Sequence, residues 1–155
     1  MGRVEYWNDA RAPHPNSLVP ACGVLAVDDA GRILLQRRRD TGQWALPMGK
    51  QELGETPTAC ATRETHEETG VLVEITGLLG IYSDPGHIVA YTDGEVRQEY
   101  EVTFLARPTG GAPAANDEAS QVGWFAVAEL GGLDIHPTMR RQIDHFLSGR
   151  FPHFD

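Results

Sequence analysis

Alternation of apolar and polar positions is clearest between Val96 and Ala106. Val96, Tyr100, Val102 and Phe104 fall on one side of an extended chain, and Arg97, Glu99, Glu101 and Thr103 fall on the other. A period of two predicts a strand. Residues 21–27 and 32–37 are apolar runs joined by Asp28-Asp29-Ala30-Gly31, which predicts a β-hairpin. Trp44-Ala45-Leu46-Pro47 is a shorter run, followed by a polar loop from Lys50 to Glu55. Further on, residues 71–75 and 78–82 are β-rich and broken by Gly77, Asp84-Pro85-Gly86 reads as a turn, residues 108–115 as a loop, and residues 122–125 as a short strand.

Two segments follow the helical period instead. Thr56 is a helix N-cap, Pro57 suits the first helical position, and Gly70 supplies a left-handed stop, which together predict a helix of about 13 residues. Near the C-terminus, residues 138–147 place Met139, Ile143, Phe146 and Leu147 at helical spacing. Strands before and after a central helix, with a second helix at the end, indicate an α/β or α+β domain of layered sheet and helix. No repeat or linker interrupts residues 1–155, so a single domain is expected.

Composition narrows the function classes. The 155 residues are 41% hydrophobic and 23% charged, which fits a globular chain and not a disordered or fibrous one. A formal net charge of −9 argues against a nucleic-acid polymer as partner, because neutralising phosphates needs a basic patch. No apolar run approaches the ~20 residues of a membrane span, and residues 1–9 do not read as a secretory signal, which leaves the cytoplasm as the default compartment. Cys22 and Cys60 form no disulfide framework and are expected to be reduced and buried. Of the 13 cationic residues, Lys50 is the only lysine.

The central helix carries an unusual load. At 100° per residue, Glu64, Glu67 and Glu68 fall on one face. At ~5.5 Å and an effective dielectric of ~20 each pair repels by about 3 kcal/mol, a cost that full solvation reduces to tenths. Either water screens these anions or a cation sits among them, and Arg63 offsets only part of the repulsion. The rest of the helix is Thr58, Ala59, Cys60, Ala61, Thr62, Thr65, His66 and Thr69, with no large apolar stripe. Its small residues suit close packing against a sheet, with the carboxylates aimed into a cleft.

From Gly49 the chain reads Gly49, five residues, Glu55, seven residues, then Arg63-Glu64-Thr65-His66-Glu67-Glu68-Thr69-Gly70-Val71. This resembles the signature of the Nudix hydrolase family, with every required Gly, Glu and Arg in place. Chance agreement at the seven fixed positions is on the order of 1 in 10⁹ per starting point. Two positions depart from the family pattern: Thr65 replaces an aliphatic residue, and Met48-Gly49 replaces a pair of glycines. The second departure bears on loop shape, because methionine does not readily adopt the positive φ open to glycine.

The resemblance implies an α/β/α sandwich with a mixed central sheet, a catalytic helix and a C-terminal helix. It implies Mg²⁺- or Mn²⁺-dependent hydrolysis of a diphosphate linkage in a small nucleotide substrate, and it leaves a homodimer open. Under it the metal ligands are Glu64, Glu67 and Glu68, with the Gly49 or Met48 carbonyl in addition. Arg63 orients Glu55, Glu67 or both, and Lys50 contacts a phosphate. Glu118 suits the general base, in competition with the glutamates of that signature and with Glu99 and Glu101, which share a face of the predicted strand. Arg37, with Arg38 and Arg39, comes within reach of a phosphate, and Trp7, Tyr82 and Tyr91 are candidates for base stacking. Pro85, 15 residues after Gly70, is a marker found in relatives that hydrolyse ADP-ribose. ADP-ribose or a nucleotide sugar is therefore the expected substrate type; the alternatives are nucleoside triphosphate pyrophosphohydrolysis and noncatalytic nucleotide binding.

The charge of −9 then has a location. Residues 49–71 hold five carboxylates against two cations, residues 84–101 five against one, and Asp117 with Glu118 two more. Acidity that repels a polyanion would, once loaded with divalent cations, attract one.

Overall fold

The ends of both helices follow from local chemistry. In the computed structural model, which describes residues 2–155, the Thr56 hydroxyl accepts a hydrogen bond from the Ala59 N–H at 3.2 Å, and helix α1 (Pro57–Thr69) stops at Gly70 with φ 78°. Helix α2 (Pro137–Ser148) is capped by His136 and stops at Gly149 with φ 70°. A positive φ at each stop is cheap for glycine and lets the last carbonyls find N–H partners.

The strands are β1 (Arg3–Trp7), β2 (Ser17–Ala26), β3 (Ile33–Arg38), β4 (Trp44–Ala45), β5 (Met48–Lys50), β6 (Val71–Tyr82), β7 (His87–Tyr91), β8 (Val96–Gly111), β9 (Ala119–Phe125) and β10 (His153–Phe154). A seven-stranded mixed sheet has β8 at its centre: β2 runs parallel along it, while β7 and β6 pair antiparallel with its first and later residues. β1 extends that sheet beyond β7, β5 extends it beyond β2, and β10 joins β6. The second sheet has three strands in the order β4-β3-β9.

The predicted hairpin is corrected by this topology. Residues 21–26 and 33–37 are strands, but β2 and β3 lie in different sheets, and only a bridge from Val27 to Ile33 joins them at the turn. Burial explains the split. β2 is buried on both faces from Ala21 to Ala26: Cys22, Val24 and Ala26 pack with Cys60 and Ala61 of α1, while Leu25 packs with Ile33, Leu35, Leu79 and Ile143 on the α2 side. Two cores, one under each helix, make the layered α/β/α arrangement. The break at Gly77 is a register shift within one continuous β6, and β8 runs on through Pro108 to Gly111, where a loop was expected. β1, β7 and β10 carry too few alternating residues to stand out from the sequence.

Among the described residues no helix is long and apolar enough to cross a membrane. Cys22 and Cys60 are both free thiols and fully buried.

Candidate active site

Helix α1 sorts its three carboxylates by depth. Glu68 is buried, and it accepts hydrogen bonds from the Met48 N–H at 3.2 Å and from the Gln36 side-chain amide. Glu64 lies directly against Gly49, where any Cβ would overlap its carboxylate, so glycine is needed there for space. Met48 sits in extended β5, and Asn8 is the only non-glycine residue with positive φ among the described residues. The Met48-Gly49 departure therefore requires no left-handed methionine. Thr65 is equally well accommodated: it is fully buried, and its hydroxyl donates to the Ala61 carbonyl at 2.7 Å.

Arg63 ties the preceding loop to the helix. It grips Glu55 with two hydrogen bonds of 2.7 and 3.0 Å, meets Glu64 at 2.7 Å and Glu67 at 3.2 Å, and donates to the Lys50 carbonyl at 3.2 Å. These contacts hold Glu55 well below the usual carboxylate range, at about 2, with the Arg63 hydrogen bond as the main cause.

Glu64 and Glu68 open onto a cavity of about 310 Å³ together with Gly49, Lys50, Arg38 and Glu118. Its opposite wall carries Glu99 and Glu101 from β8, Arg3 and Glu5 from β1, and Tyr91, over whose ring the Arg97 guanidinium lies at 4.8 Å. Glu118 and Arg38 also line an adjoining cavity with Gln36, Arg39 and Asp117.

The electrostatics favour a cation. Burial pushes Glu68 up to about 8, the Met48 N–H opposes that shift, and the neighbouring Glu64 and Glu118 carboxylates add to it. Burial also raises Glu64. On the far wall burial raises Glu99 and takes Glu101 to about 7; the Gln142 amide donates to Glu101 at 2.7 Å, and the Thr103 hydroxyl donates to Gln142 at 2.6 Å. Carboxylates with ionisation opposed by burial, on all-oxygen donors, suit a hard divalent cation such as Mg²⁺ or Mn²⁺.

Not every expected residue faces the cleft. Glu67 is more than half exposed and does not line it, and the Gly49 carbonyl accepts a hydrogen bond from the Cys60 thiol at 3.4 Å. Arg37 is exposed and donates to the Gly42 carbonyl at 2.9 Å; strand alternation gives the cleft to Arg38 instead. Pro85 is exposed in its turn outside the cavity, Trp7 packs its ring edge on His87, and the Tyr82 hydroxyl meets His145 Nδ1 at 2.9 Å, which leaves Tyr91 as the aromatic ring of the cleft. The sequence pattern misses Gln36, which reads as a core-strand residue, and Asn116, whose amide donates to the Glu68 carbonyl at 2.6 Å while its oxygen accepts from the Glu118 N–H at 2.9 Å. It also misses Arg3 and Glu5, because only the pairing of β1 with β7 carries them to the cleft.

Residues 17–146 match the NUDIX domain family. A MutT-like protein of Streptomyces ambofaciens is 35% identical over 94% of this chain and 86% of its own length. A putative 8-oxo-dGTP diphosphatase of Bacillus subtilis is 31% identical over 81% of this chain and 78% of its own, and an ADP-ribose pyrophosphatase of Methanocaldococcus jannaschii is 32% identical over 77% and 67%. A Nudix hydrolase structure from Nitrosomonas europaea shares the fold, with a TM-score of 0.72 at 23% identity, covering 92% of this chain and 78% of that one. With Arg63, Glu64, Glu67 and Glu68 gathered on α1 and the fold shared, the chain belongs to the Nudix hydrolase family, as a MutT-like pyrophosphohydrolase.

Proposed function

We propose that this pyrophosphohydrolase cleaves the diphosphate linkage of a nucleoside diphosphate derivative of the ADP-ribose or nucleotide-sugar type, within a single domain. The observation that carries this reading is the convergence of Glu64 and Glu68 with Lys50, Arg38 and Glu118 on one cavity. Two acidic walls would repel a bare diphosphate, so the substrate would enter with its charge neutralised.

In this reading Glu64 and Glu68 would hold Mg²⁺ or Mn²⁺, with Glu67 at the rim. The cation supplies charge neutralisation and Lewis acidity at the phosphoryl groups. Arg38 and Lys50 hold phosphate oxygens by hydrogen bond and charge. Arg63 is a positioning residue that fixes Glu55 and Glu64 relative to the Lys50 carbonyl. Glu118, exposed on its loop and anchored through Asn116, takes the proton from the attacking water, and Tyr91 offers its ring to the base.

A second reading, pyrophosphohydrolysis of a nucleoside triphosphate, is favoured by the likeness to the putative 8-oxo-dGTP diphosphatase. Incubation with ADP-ribose, nucleotide sugars and nucleoside triphosphates in the presence of Mg²⁺ separates the two by product. A mononucleotide plus a sugar phosphate is expected. Pyrophosphate plus a mononucleotide would establish the second reading, and nucleotide binding without turnover would overturn both in favour of a noncatalytic module.

A further inference from the structure

Away from α1, three side chains from distant parts of the chain converge. Glu5 on β1, His87 at the start of β7 and His136 at the cap of α2 bring one donor atom each to within 4.8 Å of one another. Glu5 Oε1 is 2.6 Å from His87 Nε2 and 3.6 Å from His136 Nδ1. The first separation is a hydrogen bond, whereas the second is too long for one. Two imidazoles thus face a single carboxylate oxygen, and only one of them bonds to it.

We propose that Glu5, His87 and His136 form a second metal site, specific for a borderline transition-metal ion of the Zn²⁺ or Co²⁺ class and separate from the carboxylates of α1. Geometry, donor chemistry and surroundings support it. Bonds of 2.0–2.1 Å in a tetrahedral shell put neighbouring donors about 3.3 Å apart, and the two distances to Glu5 Oε1 lie on either side of that value. Two imidazole nitrogens and one carboxylate oxygen suit zinc-like ions and not Mg²⁺, which prefers an all-oxygen shell.

The surroundings are organised as a metal site requires. Arg3 Nη2 donates to the other Glu5 oxygen, Oε2, at 3.3 Å, which turns Oε1 toward the imidazoles. Trp7 packs edge-on against His87 with ring centroids 5.9 Å apart, and the His87 and His136 rings stack at 5.9 Å, so both rings are fixed in orientation. Beside the cluster, among the described residues, Arg3 Nε and Glu99 Oε1 are the two buried side-chain polar atoms without a hydrogen-bond partner. Glu99 is only 8% exposed, and with Glu101 it adds anionic charge facing His87. An added cation would offset the charge of Glu99, which Arg3 and Arg97 already oppose in part.

His136 Nδ1 also receives the Thr138 N–H at 3.3 Å and lies 2.8 Å from the Thr138 hydroxyl. A metal on His136 Nδ1 would take that nitrogen's single in-plane lone pair and displace the Thr138 cap, and the ion would then join the edge strand β1, β7 and the first turn of α2. Because Arg3 and Glu5 line the main cavity, that junction would also stiffen one wall of the cleft.

The test uses the full chain carrying Glu64→Gln and Glu68→Gln, which disables the carboxylate site. Titration with Co²⁺ alone and Zn²⁺ alone should give one bound ion, X-ray absorption should show two imidazoles in its shell, and Mg²⁺ should not compete. Adding His136→Ser, which keeps a side-chain oxygen to cap α2, should abolish the binding while far-UV circular dichroism is unchanged. If His136→Ser unfolds the chain, His87→Gln in the same background replaces it, because His145 and His153 stack at 4.1 Å beside Asp155 and would give the same imidazole count; two-imidazole binding retained in that variant would overturn the proposal. Absence of binding, a shell without two histidines, or affinity unaffected in a folded His136→Ser protein would overturn the proposal.

Discussion

Helices α1 and α2 differ in length by a single residue, 13 against 12, and share their ends: a side-chain cap, proline at the first position, and a left-handed glycine stop. Their buried faces differ. α2 seats Ile143 fully buried in the core beneath it, with Met139 and Phe146 packed alongside, and of its buried polar residues Thr138 and Gln142 the second reaches across to steady Glu101. α1 buries only Cys60, Ala61, Thr65, Glu68 and Thr69. Cap chemistry therefore marks where a helix lies, and face chemistry determines whether it serves packing or a reaction. A helix that needed bulky anchors could not bring Glu64 and Glu68 so close to the Met48–Gly49 backbone.

The largest effect that could break this contrast is on turnover. Glu64→Gln keeps the shape that fits against Gly49 and removes the charge, so turnover should fall by about 10³-fold, equivalent to ~4 kcal/mol of transition-state stabilisation. Steady-state rates with Mg²⁺, alongside an unchanged circular dichroism spectrum, check this. In α2 the loss should appear in stability instead. Ile143→Ala should cost about 2–5 kcal/mol in urea unfolding, with the per-molecule rate of the folded protein retained.

Legibility followed the same division. The ends of α1, the spacing of its carboxylates and the long alternation in β8 are local properties, and they were readable in the residues themselves. The pairing of β2 with β8, ten residues in parallel register, depends on which faces become buried, so the turn between β2 and β3 looked like a hairpin. Arg37 and Arg38 show the same limit on a smaller scale. Adjacent strand residues point to opposite sides, and the choice between them rests on which side faces the cleft. Gln36, Asn116 and Glu5 became site residues only through contacts more than 30 positions apart.

The surroundings of the two helices should also respond oppositely to pH. Glu68 keeps its proton in the metal-free folded state up to about 8, against an ordinary 4.5, so the folded state binds the extra proton. Its contribution to stability should be complete below about 4.5, decline as pH rises, and be gone above about 8. Thermal melts of metal-free protein from pH 5 to 8 should show the decline, and Mg²⁺ should suppress it. Near α2, burial works against ionised Asp155, but the hydrogen bonds from Arg141 and His153 prevail and hold it at about 2. That contribution is present above an ordinary carboxylate range near 4 and is lost as pH falls toward 2, which melts between pH 5 and 2 should register. Glu68→Gln should remove the first dependence and leave the second.

The smallest expected effect tests the shared punctuation. Thr56→Ala should cost about 1 kcal/mol through loss of the cap to Ala59, with Thr56→Ser close to the parent, both read by urea unfolding. A cost several times larger would mean that Thr56 does more than end a helix.

The most direct test of the division of labour is to measure stability and Mg²⁺-dependent turnover together on Glu68→Gln at pH 8. Glutamine can still accept from the Met48 N–H without a buried charge. Unfolding free energy should therefore equal or exceed that of the metal-free parent, while turnover falls by about 10³-fold. Turnover near the parent value, or a loss of turnover that merely tracks a loss of stability, would contradict the assignment of α1 to chemistry.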